Sequence, residues 1–199
     1  MNREERIEKI KELRSKDVRG KFVILRPVTM EYAEDIVEIR NRPQNRYMFN
    51  QSEFLTLEGQ REWFDLYQKK EDDIYWVVLD KNERFIGTIR LYGIDLDGNQ
   101  CEEGSYVIDE EVADEAPYAV EAKLLALDVA FCELQMGSMV NDNRADNKIM
   151  NNLSNQLGFN TGSVVQIRGV DYLHRILLSD DYFRNRQKFV IVIDYWSER

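Results

Sequence analysis

CEEGSYVIDEEVADEAPYAVEAKLLALDVAFCELQMGSMVNDNRADNKIMNNLSNQLGF, residues 101–159, carries the pattern that decides the fold. The alternation over Cys101–Ile108 predicts a strand, and Asp109–Ala116 predicts an acidic turn. The long apolar run Pro117–Gln135 predicts a helix, with proline suited to its first turn. A short strand, Gly137–Asn141, and a second helix, Asp146–Leu157, complete the unit before Gly158–Phe159. A helix opening where a strand ends offers unpaired backbone N–H groups to an anion.

Upstream, Ile7, Ile10 and Leu13 recur at helical spacing in a highly charged N-terminus. Residues 1–20 therefore read as an amphipathic helix, laid on the surface or against a partner, and residues 21–199 as one domain. A homodimer is left open by that helix. Phe22–Arg26 is predicted as a strand, and Thr29 as the cap of a helix with Tyr32, Ala33, Ile36, Val37 and Ile39 inward. Asn41–Ser52 reads as a polar and aromatic loop. Its Arg46, Tyr47 and Phe49 either wall a substrate pocket or cover the core edge.

Thr56 is predicted to cap the next helix, and Ile74–Leu79 and Arg84–Tyr92 to form a hairpin. Downstream, Asn160–Arg168 and Asp171–Leu178 read as strands, Ser179–Gln187 as helical and Lys188–Trp196 as a last apolar run. Antiparallel strands preceded by two helices and followed by a strand–helix–strand–helix unit describe an α+β fold, with helices flanking a central, mostly antiparallel sheet.

The net charge of −10 over 199 residues argues against a nucleic-acid partner, which needs a basic face. It favours cationic ligands such as amines, although acidity also serves solubility alone. No apolar run reaches a membrane span and the N-terminus is charged throughout, so neither a membrane partner nor a secretory signal is expected. Two cysteines, Cys101 and Cys132, at no zinc spacing, and the single His174 leave no usual metal site. They suit a reducing, cytoplasmic location.

FIGTIRL (85–91), GSYVI (104–108), the helix start YAVEA (118–122), Asn147 and LGF (157–159) follow in this order after LRPVT (25–29). Together they resemble the GNAT superfamily of acyl-CoA-dependent N-acetyltransferases, over roughly Lys21 to Leu178. The branch with ribosomal-protein N-terminal and bacterial amino-sugar acetyltransferases is the most similar. The resemblance implies acetyl-CoA as co-substrate, a splay between the two central strands, and direct acetyl transfer to a primary amine. That amine belongs to a small molecule such as an amino sugar, or to a protein N-terminus.

By position, Val107 and Ile108 are implied to hold the acyl end, and Tyr118, Ala119 and Val120 to approach the diphosphate. Asn147 either bonds the pantetheine arm or simply opens a helix. Glu102 and Glu103 are the candidate bases. They lie on opposite faces of one strand, so at most one points into the cleft, and Glu102 matches the family's acidic position. Ser154 occupies the place of the general acid in many relatives, or is a small helix residue. Arg46, Tyr47, Phe49 and Tyr92 are the candidate acceptor contacts.

The family's phosphate loop has a cation and a glycine where this chain has Asp114 and Pro117. The resulting alternative is a non-catalytic binding or assembly module on the same fold.

Overall fold

The computed structural model describes all 199 residues, Met1–Arg199. Eight strands form one sheet in the order β1-β2-β3-β4-β5-β6-β8-β7. They are β1 (Val18–Arg19), β2 (Val23–Pro27), β3 (Ile74–Asp80), β4 (Phe85–Asp95), β5 (Gln100–Ile108), β6 (Ser138–Arg144), β7 (Ser163–Ile167) and β8 (Val170–Leu178). Only β5 and β6 pair in parallel. The helices are α1 (Arg3–Leu13), α2 (Ala33–Asn41), α3 (Pro43–Met48), α4 (Leu57–Tyr67), α5 (Tyr118–Asp128), α6 (Lys148–Leu157) and α7 (Ser179–Ser197).

Strand parity assigns the two faces of the sheet. Tyr75, Val77 and Leu79 pack with Ile36 of α2 and Phe64 and Tyr67 of α4 in a cluster of eight buried residues. Trp76, Val78, Ile89, Leu91, Cys101 and Met139 point the other way. They join α1, α5 and α7 in a cluster of 31, the main core. Ile10 and Leu13 of α1 belong to it, and β1 adds an edge to β2.

Local chemistry explains the helix starts. Asn2 and Glu5 form a reciprocal capping box on α1, with both bonds at 2.9 Å. The Thr56 hydroxyl accepts from Gly59 N–H at 3.0 Å and opens α4, as the sequence predicts. Glu121 of α5 is buried because its carboxylate accepts backbone N–H bonds from Lys21, Phe22 and Val23, at 2.6, 2.6 and 2.7 Å. That clamp fixes the start of β2 to α5.

Four elements depart from the sequence reading. Thr29 makes no side-chain cap, and a short 3-10 turn, Met30–Tyr32, precedes α2. Asn41–Ser52 is largely α3 rather than loop, opened by Pro43 at the one helical position that needs no N–H. The apolar helix stops at Asp128 and loosens into a π turn, Val129–Glu133. Lys188–Trp196 continues α7, burying Phe189 and Ile193 four residues apart on one helical stripe.

Candidate active site

β5 and β6 pair only at Gln100–Ser138, Cys101–Met139 and Glu102–Val140, although β5 runs on to Ile108 and β6 to Arg144. Beyond Glu102 the two strands diverge. A cavity of about 590 Å³ opens between them, lined by 21 residues that include Tyr92, Glu102–Ile108, Asn141–Asn143 and Asn147. Gln44, Asn45, Met48 and Phe49 of the α3 segment roof it.

On its other edge β5 is bulged against β4. Thr88 pairs with Val107 but Arg90 with Gly104, so β5 carries one extra residue. Ser105 takes the strain in the left-handed region, at φ +49°. The Thr88 hydroxyl holds the bulge by donating to the Ser105 carbonyl at 2.6 Å. Gly87 permits the close approach, since a Cβ there would lie 2.1 Å from the Val107 carbonyl oxygen. Past the bulge, Asp109 N–H reaches the Ile86 carbonyl on β4 at 2.7 Å. Alternation along the strand therefore turns the Ile108 N–H toward the open cleft.

Of the two adjacent carboxylates, Glu102 shares a face with its register partner Tyr92, the face covered by α2 and α4. The Tyr92 hydroxyl donates to it. Burial raises the Glu102 pKa, and Asp142 nearby adds to the rise; the Tyr92 hydrogen bond opposes them in part. Burial, with the Glu102 contact, likewise raises the Tyr92 pKa, so the phenol stays a donor.

Glu103 points the opposite way, into the main core. There Lys123 of α5 donates to it at 2.6 Å and Asn141 at 2.9 Å. The side chains of Glu103 and Lys123 are each 1% exposed. The cavity reaches through the gap in the sheet, which places both glutamates in its lining, but only Glu102 lacks a cation.

The other expected positions divide. Val107, Ile108, Phe49, Tyr92 and Asn147 line the cavity. Asn147 also caps α6, its Oδ1 accepting from Met150 N–H at 3.1 Å. Arg46 and Tyr47 are not brought to the cavity, because α3 is a helix whose residues 44, 45, 48 and 49 share the inner face. Arg46 lies over Phe54 at 3.8 Å, and Tyr47 lies under Arg144 at 3.9 Å. Ser154 is fully buried outside the lining, its hydroxyl accepting from Asn143 at 3.1 Å. His174 on β8 faces Asp142 at 2.9 Å. The contributions of Asp142, Asn141 and Lys123 had no sequence signal, since register alone brings them to β5.

A coenzyme A thioester is tested by two features. The unpaired edge of β5 supplies backbone groups of the kind that an amide-bearing arm adds to. At α5, Tyr118 N–H is taken by the Ala116 carbonyl at 2.7 Å, because Pro117 folds the chain back (ψ 42°). Tyr118 therefore drops out as a phosphate donor. The N–H groups of Ala119 and Val120 have no such partner, and the Tyr106 hydroxyl pins this terminus to β5 by donating to the Ala119 carbonyl at 2.6 Å. The acidic turn is partly neutralised: Arg84 binds Glu115 at 2.6 Å, and Arg42 binds Asp109 at 2.5 Å. Asp114 and Glu115 do not fill the cleft, and the donor set fits the coenzyme.

Comparison with known proteins agrees with this geometry. Residues 23–160 match the family model described as an acetyltransferase (GNAT) domain. A sequence search of curated proteins finds no match. Among solved structures, a nucleotide-linked sugar GNAT in apo form superposes with TM-score 0.75 at 21% identity, covering 89% of this chain and 98% of its own. A GCN5-related N-acetyltransferase from Brucella melitensis gives 0.73 at 17%, covering 92% and 95%. Spermidine N-acetyltransferase from Vibrio cholerae, in complex with CoA and spermine, gives 0.74 at 17%, covering 82% and 99%. At these identities the likeness is one of fold.

Proposed function

The chain belongs to the GNAT acetyltransferase family, and we propose that it acetylates the primary amine of a small molecule by direct transfer, with Glu102 as the base. Membership brings acetyl-CoA as donor and acyl transfer as the reaction. No cluster of metal-ligating side chains is present, and no helix is long and apolar enough to cross a membrane.

The observation that carries the proposal is the Glu102 carboxylate, in salt bridge with no cation, in the lining of a cleft with four carboxylates and no Lys or Arg. Glu102, Asp142 and Glu110 attract an ammonium, and the α3 roof suits a small acceptor over a protein N-terminus. Acetyl-CoA supplies an activated acyl carbonyl beside the bulge. Glu102 takes the ammonium proton, directly or through water, and its raised pKa matches that task better than an ordinary carboxylate would. The Ile108 N–H polarises the acyl oxygen while the freed amine bonds to the carbonyl carbon. The C–S bond then breaks to release CoA as a thiolate that takes its proton from water. Tyr92 orients the base and, remaining protonated, steadies the carboxylate form.

The test is Glu102→Gln, followed by thiol release over a panel of amines. We expect kcat to fall by roughly 10²–10⁴-fold. The acid limb of the wild-type pH profile should lie above the ordinary glutamate range and vanish in the variant. Stability gives a second readout. The folded state holds this proton more tightly than the unfolded chain. Stability therefore falls as pH rises from the ordinary glutamate range through the raised pKa. Glu102→Gln should then melt higher than the wild type at neutral pH. A variant with wild-type turnover and an unchanged acid limb would remove Glu102 from the chemistry.

A further inference from the structure

On the same face of the sheet a second cavity, of about 530 Å³, adjoins the first, the two sharing Ser105 at the bulge. Its lining has the opposite character. Arg40 of α2 and Arg90 of β4 line it, with Trp63, Tyr75 and Gln60, and Glu53 is its one carboxylate. Arg90 is paired with Asp73, which accepts from it through both carboxylate oxygens. Arg40 is not. Its Nε is buried without a hydrogen-bond partner, its guanidinium lies 3.9 Å from the centroid of the Phe49 ring, and the neighbouring Tyr75 hydroxyl favours its charged form while Arg90 opposes it. Burial without a carboxylate holds its pKa below the ordinary arginine value. Arg40 as a whole is half-buried, so its unpartnered Nε is the donor that a ligand can complete.

Register joins the two cavities into one trough. Tyr75 pairs with Arg90, Arg90 and Tyr92 lie two residues apart on β4, and Tyr92 pairs with Glu102. One face thus runs from the Arg40 guanidinium past Arg90 and Tyr92 to the Glu102 carboxylate. We infer that the acceptor is bipolar: an amine received at Glu102 that also carries an oxyanion group, carboxylate or phosphoryl, received by Arg40. Trp63 and Tyr75 line the part between. A guanidinium is the donor set that fits either oxyanion in a bidentate manner. This assignment rests on the Glu102 reading for its amine end and stands independently at its anion end.

Matched acceptors test it with the full-length protein. Glycine against glycinamide probes a carboxylate, and glucosamine 6-phosphate against glucosamine probes a phosphoryl group. Thiol release from acetyl-CoA gives kcat/KM, and calorimetric titration of the CoA-loaded protein gives binding without turnover. The anionic member of at least one pair should be preferred by tenfold or more. In Arg40→Gln that ratio should fall toward one through KM rather than kcat, and Arg40→Lys should recover part of it. Arg40→Gln should melt close to the wild type, since Arg40 is half-buried and makes no salt bridge, whereas a structural arginine would be missed. Equal use and equal binding of anionic and neutral members would overturn the inference, as would an Arg40→Gln variant that keeps the preference. If no amine turns over but Arg40→Gln still weakens anion binding, the Glu102 reading fails and the anion site remains.

Discussion

Removing Lys123 from its pairing with Glu103 isolates the largest single electrostatic commitment in the core. Both side chains are 1% exposed, the Nζ–Oε2 distance is 2.6 Å, and Asn141 supplies the carboxylate's other donor at 2.9 Å. Lys123→Met leaves Glu103 charged, buried and without a cation, which costs about 3–5 kcal/mol. For a domain of this size that lowers the melting temperature by roughly 6–20 °C. Glu103→Gln alone strands the ammonium at a comparable cost. The double variant keeps an amide oxygen for Asn141 to donate to and removes both charges, so about 1–2 kcal/mol is expected, well short of the sum. Urea unfolding of the four proteins measures the cycle, with equal m-values as the check on two-state behaviour. If Lys123→Met costs under about 1 kcal/mol, or the double variant costs the sum of the singles, the two groups are solvated. Glu103 would then be as available for proton transfer as Glu102.

Two further outcomes concern single residues. The Cys101 thiol is buried and pushed up to about 12, while Cys132 is exposed. Iodoacetamide at pH 8 should therefore modify one cysteine in the native protein and two in denaturant; two in the native protein would place Cys101 at the surface. Gly87→Ala puts a Cβ 2.1 Å from the Val107 oxygen and 3.1 Å from the Ile108 Cα, forcing β4 from β5 at the acyl end. A loss of about 1–3 kcal/mol, read from the urea midpoint, should accompany at least a tenfold loss of turnover. Wild-type values would mean that the strands do not touch there.

How much of this was legible beforehand depends on the range of each interaction. The strand, acidic turn, apolar helix and closing Gly158 were readable because their signals are local: alternation, a proline at the helix start, and a left-handed residue (φ +99°) that suits glycine. The two-residue period of a strand put Glu102 and Glu103 on opposite faces; the preference for Glu102 came from the family resemblance. What escaped was set by partners distant in sequence. Arg40 carries no signal in the chain that sets it apart from other helical arginines, and only the packing of α2 on the sheet half-buries it. On a loop over Asn41–Ser52, Arg46 and Tyr47 are free to wall a pocket or to cover the core edge. Once six residues coil, their side chains diverge by about 100° each and half must turn away. The five apolar residues Phe189–Ile193 gave no period to read, and tertiary contact made them helical.

The short seam between β5 and β6 has one more implication. The five strands on one side and the three on the other are fastened at Gln100–Glu102 and then part like the blades of scissors from a rivet. Cys101 and Met139, both buried, are the metal of that rivet. A change of bulk at either one, touching neither substrate, is carried by two stiff arms to the wide end of the gap. Tuning the size of group admitted there calls for substitutions at the pivot, where nothing binds.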